Sequence, residues 1–208
     1  MIDRFGPQKW WPGDGEFETI VGAILTQNTN WRNVEKALNN LKQNESLDMH
    51  TLYEMDIDTL AQLIRPAGYY NIKAKRLKSF LAWLYDNYDG SLESLGNMHA
   101  STLREELLSI KGVGPETADS IVLYAFEKPT FVVDTYTCRI MIRHGLIEPE
   151  ARYEQTREFF ESCLNPDVPL FNEFHALFVR VGKEFCKPKP KCSGCPLEHL
   201  PHETEQPW

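Results

Sequence analysis

At 208 residues, 42% hydrophobic and 25% charged, the chain has the balance of a soluble globular protein, with room for one large domain or two small lobes. A formal net charge of −8 sets the surface as a whole against phosphate, so any grip on nucleic acid has to be local. Five cysteines, an odd number, argue against a disulfide framework; with no signal-peptide pattern and no membrane-length apolar run, a cytoplasmic protein without a membrane partner is expected.

The apolar pattern is helical nearly throughout. After "WWPG" (Trp10 to Gly13), Phe17, Ile20, Val21, Ile24 and Leu25 recur at helical spacing. Gln27 ends that run, Trp31 opens the next, and Val34, Leu38 and Leu41 continue it. Leu77, Phe80, Leu81 and Leu84 mark a further helix, Ser91 and Ser101 look like helix starts, and Leu103, Leu107 and Leu108 follow. Ile121 to Tyr124 belong to a helix stopped by the proline of "FEKPT"; another begins after Asp134 and closes at Gly145. Two more are expected near 153–164 and 171–185, with the last eight residues poorly ordered. The "TFVV" stretch has strand character but no partner, so the fold class is all-α.

Two stretches concentrate positive charge. Arg65 to Lys78, "RPAGYYNIKAKRLK", holds five basic residues and no acid, and Lys183 to Lys191 holds four lysines against one glutamate. A charged run is usually a solvated helix face, but tyrosines interleaved with the first run favour a basic groove on an acidic body. Between the runs, "LLSIKGVGPETADSIVLYA" reads as helix, tight turn, helix. Gly112 and Gly114 permit close backbone approach, and Pro115 suits a first helical turn. Backbone amides at such a turn can hold a DNA phosphate whatever the net charge. Asp134 is either an ordinary N-cap or a carboxylate held at a helix start for chemistry; spacing alone supports both.

"GVGPETA…VDTYTCR", with "FETIVGAILTQNT", "RPAGYYNIKAKRLK" and the cysteine-rich end, resembles the endonuclease III superfamily of helix-hairpin-helix DNA glycosylases. "WWPG" and "TQNTNW" make the chain most similar to its 3-methyladenine DNA glycosylase branch. The resemblance implies two helical lobes with a cleft between them: 28–134 carrying the hairpin (about 103–126), and 1–27 with 135–208. It implies damaged double-stranded DNA as partner, a flipped base, and a monomer associated with the nucleoid. Asp134 would be the catalytic carboxylate. Gln27 would fill the gap left by the base, Tyr69 would wedge the opposite strand, and Trp10, Trp11 and Trp31 would line the base pocket. Lys73, Lys75, Arg76, Lys111, Gly112, Val113, Gly114 and Thr117 would meet the DNA, with a monovalent cation at the hairpin. Lys183 would reach the pocket rim.

Endonuclease III proper carries a lysine two residues after the second turn glycine, where its amine forms a Schiff base; here that residue is Glu116. A carboxylate cannot form the imine, so hydrolysis without a cofactor is expected, of alkylated purines whose glycosidic bond is already weak. Lys111 or Lys183 acting as the amine would give instead a glycosylase with lyase activity on damaged or mismatched pyrimidines, and a non-catalytic DNA binder is a third alternative. Cys186, Cys192 and Cys195 give C-x5-C-x2-C against the family's four-cysteine iron–sulfur pattern, with Pro201 in the fourth place. His199 or His202 would have to complete a [4Fe–4S] cluster, or a zinc site; relic cysteines without metal are expected rather than either. Cys138 and Cys163 fall in helical runs and are expected in the core.

Overall fold

The computed structural model describes residues 1–204. Among them there is no strand, and the α-helices follow in chain order as α1 (Ile2–Phe5), α2 (Gly15–Leu25), α3 (Trp31–Gln43), α4 (Met49–Glu54) and α5 (Ile57–Leu63). After a 3-10 turn (Arg65–Ala67) come α6 (Tyr70–Tyr88), α7 (Leu92–Gly96), α8 (Ala100–Ser109) and α9 (Pro115–Ser120). A π-helical turn (Ile121–Ala125) extends α9, and α10 (Thr135–Arg143), α11 (Tyr153–Cys163) and α12 (Val168–Glu184) complete the set. No described helix is long and apolar enough to cross a membrane.

The chain forms two compact units: Pro12–Lys128, and Met1–Trp11 together with the chain from Pro129 onward. In the contiguous unit, α3 begins where the Asn30 side chain accepts from Asn33 N, and its periodic Val34, Ala37, Leu38 and Leu41 are all buried. On α6, Ala74, Leu77, Phe80, Leu81 and Leu84 are fully buried. α2 is different, because every residue from Glu18 to Leu25 is buried. A helix covered on all sides belongs at the centre of a core. It lies in the contiguous unit, which begins at Pro12. The one acid in that buried stretch, Glu18, is paired with Lys42 at 2.7 Å.

α8 and α9 are the two arms of the hairpin. Arg104 Nε on α8 meets the fully buried Asp119 Oδ1 on α9 at 2.7 Å, and Arg104 Nη2 meets Oδ2 at 3.2 Å, a two-point clamp on the hairpin. Phe126 N donates to Ile121 O at 3.3 Å, the wider i to i+5 bond of a π turn. α8 starts at Ala100 with His99 as its cap, so Ser101 lies inside it; Ser91 does cap α7, accepting from Ser94 N.

The discontinuous unit is built on phenylalanine. Phe131 stacks on Phe160 at 3.9 Å, and Phe171, Phe174 and Phe178 pack around them. "TFVV" is buried outside any helix, its backbone partnered by side chains: Phe131 N donates to Glu161 Oε1, and Val133 N to the Tyr153 hydroxyl. α10 and α12 approach closely at Gly182, where a Cβ would lie 2.4 Å from Tyr136 Cδ1. Cys138 is half-buried, but Cys163, at the last turn of α11, is exposed rather than in the core. Of the C-terminal eight residues, Glu203 N donates to Arg143 O at 2.7 Å; 205–208 lie outside the described residues.

Candidate active site

Asp134 caps α10 with one carboxylate oxygen and turns the other towards α12. As N-cap of α10, its Oδ1 accepts from Thr137 N at 2.7 Å and from Thr137 Oγ1 at 2.8 Å. Its Oδ2 lies 3.6 Å from His175 Nε2 on α12, and only 12% of the side chain is exposed. Burial alone pushes the carboxyl's pKa up. The opposing pulls, led by His175 and followed by Thr137, win, and the pKa falls below the ordinary value. Asp134 is therefore an anion at neutral pH in a nearly dry place, the state an electrostatic stabiliser needs.

His175 carries no motif and was not legible as a site residue. Its only signal was one histidine in the apolar run "EFHALF", which reads more naturally as core. It is 5% exposed, and the Trp10 ring meets it edge-on at 6.4 Å. Trp10 in turn packs edge-on against Trp11 at 5.9 Å, and the Lys183 ammonium sits 5.9 Å from the centre of the Trp10 ring. The Trp10 indole N–H is buried without a hydrogen-bond partner among the described residues. Asp134, His175, Trp10, Trp11 and Lys183 thus gather in one unit, whereas Trp31 belongs to the other and donates from Nε1 to Glu35.

The hairpin side of the contiguous unit carries a second constellation. Gln27 Nε2 donates to Gly112 O at 3.1 Å and to Thr117 Oγ1 at 2.9 Å, and Arg76 Nη1 donates to Gln27 Oε1. Gly112, at φ +97°, leaves space that Arg76 fills: a Cβ there would lie 2.4 Å from Arg76 Cγ. Lys75, Lys111 and Glu116 are exposed. Tyr69 is 67% exposed at φ +45°, a left-handed position uncommon for tyrosine, and Ile72 beside it is 50% exposed.

Three of the residues expected at the DNA have their side chains buried in the unit. Lys73 is 1% exposed, its ammonium donating to Leu25 O and Ala67 O, so it braces helix ends inside the unit. Thr117 is buried, its hydroxyl accepting from Gln27. Val113 points into the core, and its N–H donates to Ile110 O.

The C-terminal segment brings together three cysteines where a four-iron cluster takes four. Cys186, Cys192 and Cys195, with His144 and His202, line one cavity of about 20 Å³. Among the described residues no three His, Cys, Asp or Glu side chains converge as a metal-binding group. Burial, followed by the neighbouring thiols, pushes Cys192 and Cys195 up in pKa. His199 is exposed and does not line the cavity. The residues present do not fit a four-cysteine cluster. Guanidinium groups hold the segment: Arg139 Nε donates to Cys186 O at 2.6 Å, and Arg143 donates to Cys186 Sγ, Lys187 O and Pro188 O.

Comparison with known proteins agrees with this helical architecture. The chain is 48% identical over 202 residues to a candidate DNA repair glycosylase of Methanocaldococcus jannaschii, covering 96% of this chain and 91% of the other. It is 31% identical to endonuclease III of Sulfolobus acidocaldarius, over 86% of this chain and 78% of that one. Among solved structures, the H. pylori 3-methyladenine DNA glycosylase bound to 1,N6-ethenoadenine superposes with a TM-score of 0.74 at 31% identity, covering 87% of this chain and 91% of that one. A non-covalent endonuclease III–DNA complex superposes with a TM-score of 0.83 at 25% identity, covering 98% and 91%. The model of the HhH-GPD superfamily of base excision DNA repair proteins matches residues 21–166, and the chain belongs to that family.

Proposed function

We propose that the protein is a monofunctional DNA glycosylase that releases alkylated purines, of the 3-methyladenine kind, from duplex DNA and leaves an abasic site. The observation that carries this reading is Glu116. The position two residues past Gly114 offers a carboxylate where a lyase needs an amine, so water is the nucleophile. The 31% identity to the H. pylori 3-methyladenine enzyme supports the substrate class. Trp10 and Trp11 offer aromatic faces on which such a base would stack. A purine methylated at N3 or N7 is itself cationic and leaves with little acid assistance. Asp134 stabilises the positive charge that develops on the sugar and orients the water. Lys75, Arg76, Lys111 and the backbone of Gly112 and Gly114 hold the phosphates, Gln27 takes the place of the flipped base, and Tyr69 props the opposite strand; the enzyme works as a monomer.

The 31% identity to endonuclease III favours a second reading, a glycosylase and lyase acting on damaged pyrimidines, with Lys111 or Lys183 supplying the amine. Methylated duplex DNA separates the two. Free 3-methyladenine, with strand breaks only after hot alkali, is expected; breaks without alkali that borohydride traps as a covalent complex would establish the lyase. In Asp134→Asn, base release should fall by 100-fold or more, on the order of an electrostatic stabiliser's loss, while DNA binding persists. Release unchanged in that variant would remove Asp134 from the chemistry.

A further inference from the structure

We propose that His175 is the positioning residue for Asp134: its Nε2 faces the carboxylate oxygen, Oδ2, that Thr137 leaves open while engaging Oδ1. The inference rests on the reading of Asp134 as the catalytic carboxylate.

The geometry comes from two helices and the N-terminal segment. Asp134 is anchored at the start of α10 by Thr137, which engages one oxygen twice. The other oxygen faces His175 Nε2 at 3.6 Å, an ion-pair distance that a half-ångström movement turns into a direct hydrogen bond. The imidazole is immobilised in its turn. It is 5% exposed, and the Trp10 ring closes over it edge-on. The segment bearing Trp10 is tied to the same helix, since Gln8 N donates to Glu173 Oε1 at 2.9 Å and Arg180 Nη1 donates to Gln8 Oε1 at 3.3 Å. A carboxylate anchored at Oδ1 with an immobilised imidazole facing Oδ2 has its plane set before substrate arrives.

The surrounding charges leave this pairing intact. From α10, Asp134 faces His175, while Arg139 and Arg143 are turned to the carbonyls of Cys186, Lys187 and Pro188. On α12 itself, Glu173 is taken by Gln8, Arg180 by Glu184, and Lys183 lies over the Trp10 ring. The N-terminal segment presents the Trp10 indole. Without His175, the burial of Asp134 is opposed by Thr137 alone among its named partners, and the acid form gains.

The test uses the whole protein, labelled at the aspartate side-chain carboxyl carbon, with Asp134→Asn to assign the Asp134 resonance. The first readout is the NMR titration midpoint of Asp134 without DNA. The second is the pH profile of single-turnover base release from methylated duplex DNA. His175→Phe keeps the ring against Trp10 and removes the nitrogen; His175→Gln restores a neutral donor near the Nε2 position. In His175→Phe the midpoint should rise by about one unit or more, and the acidic limb of the profile should move up with it. The maximal rate should fall roughly tenfold with half-saturating DNA concentration unchanged. His175→Gln should recover part of both. An unmoved midpoint and limb in either folded variant overturns the inference, since a merely structural histidine would lower melting temperature and leave the titration in place. Wild-type release by Asp134→Asn, with a raised midpoint in His175→Phe, overturns the catalytic reading but keeps the His175–Asp134 coupling.

Discussion

The Lys73 ammonium donates at 2.9 Å to Leu25 O and at 2.7 Å to Ala67 O, closing off the carbonyl ends of α2 and the 3-10 turn at once. Desolvation, with the nearby Arg76 charge, lowers its pKa from 10.5 to about 8. Between those values the unfolded chain binds more protons than the native one, so this group makes the fold more stable as pH rises through the window. In urea melts, wild type should therefore gain stability relative to Lys73→Met between pH 8 and pH 10. At pH 7, where the amine is charged and still supplies both hydrogen bonds, the variant should be less stable by about 2 kcal/mol. An equal response of both proteins to pH would detach the effect from Lys73. Nothing in "NIKAKRLK" separates Lys73 from Lys75, because helical phase alone decides that one enters the core and the other faces water. His175 was hidden for a related reason. Its partner Asp134 lies 41 residues away in sequence, and a histidine among phenylalanines carries no local sign of a carboxylate.

The crossing of α10 and α12 is where element packing bears on the site. Gly182 brings α12 so close to Tyr136 that a methyl group would sit 2.4 Å from its ring. Gly182→Ala should cost about 1–3 kcal/mol in chemical denaturation, the usual penalty of overpacking. It should also slow base release, because Tyr136 lies in the first turn after Asp134 and moves with the cap; a neutral effect on both would mean that the crossing relaxes freely. Most helices were legible because their apolar residues recur at 3.6-residue spacing. α10 could be bracketed between Asp134 and Gly145, and α11 was placed to within one residue of its end. The π turn was not legible, since widening one hydrogen bond leaves the apolar pattern of Ile121 to Ala125 unchanged. The grouping of helices into units was also missed at α2, whose all-round burial is a property of the assembled core.

At the scale of the molecule, the −8 net charge and the exposed lysines of the contiguous unit pull in opposite directions. Lys75 and Lys111 are exposed there, while Glu148, Glu150, Glu154 and Glu158 belong to the other unit. Binding to undamaged duplex should therefore weaken steeply with salt. Lys75→Ala should make the plot of log affinity against log salt shallower by about one unit, and Lys73→Met should leave its slope unchanged. Equal slopes for wild type and Lys75→Ala would mean that Lys75 meets no phosphate. The same division of the chain sets an order of events during synthesis. Pro12–Lys128 is a single uninterrupted stretch, whole as soon as Lys128 has left the ribosome. The other unit is interrupted by it, so Trp10, made before that stretch, waits for α12 to emerge before it can close over His175. On a nascent chain, the helices that carry the hairpin can be assembled before the carboxylate and its imidazole have left the ribosome.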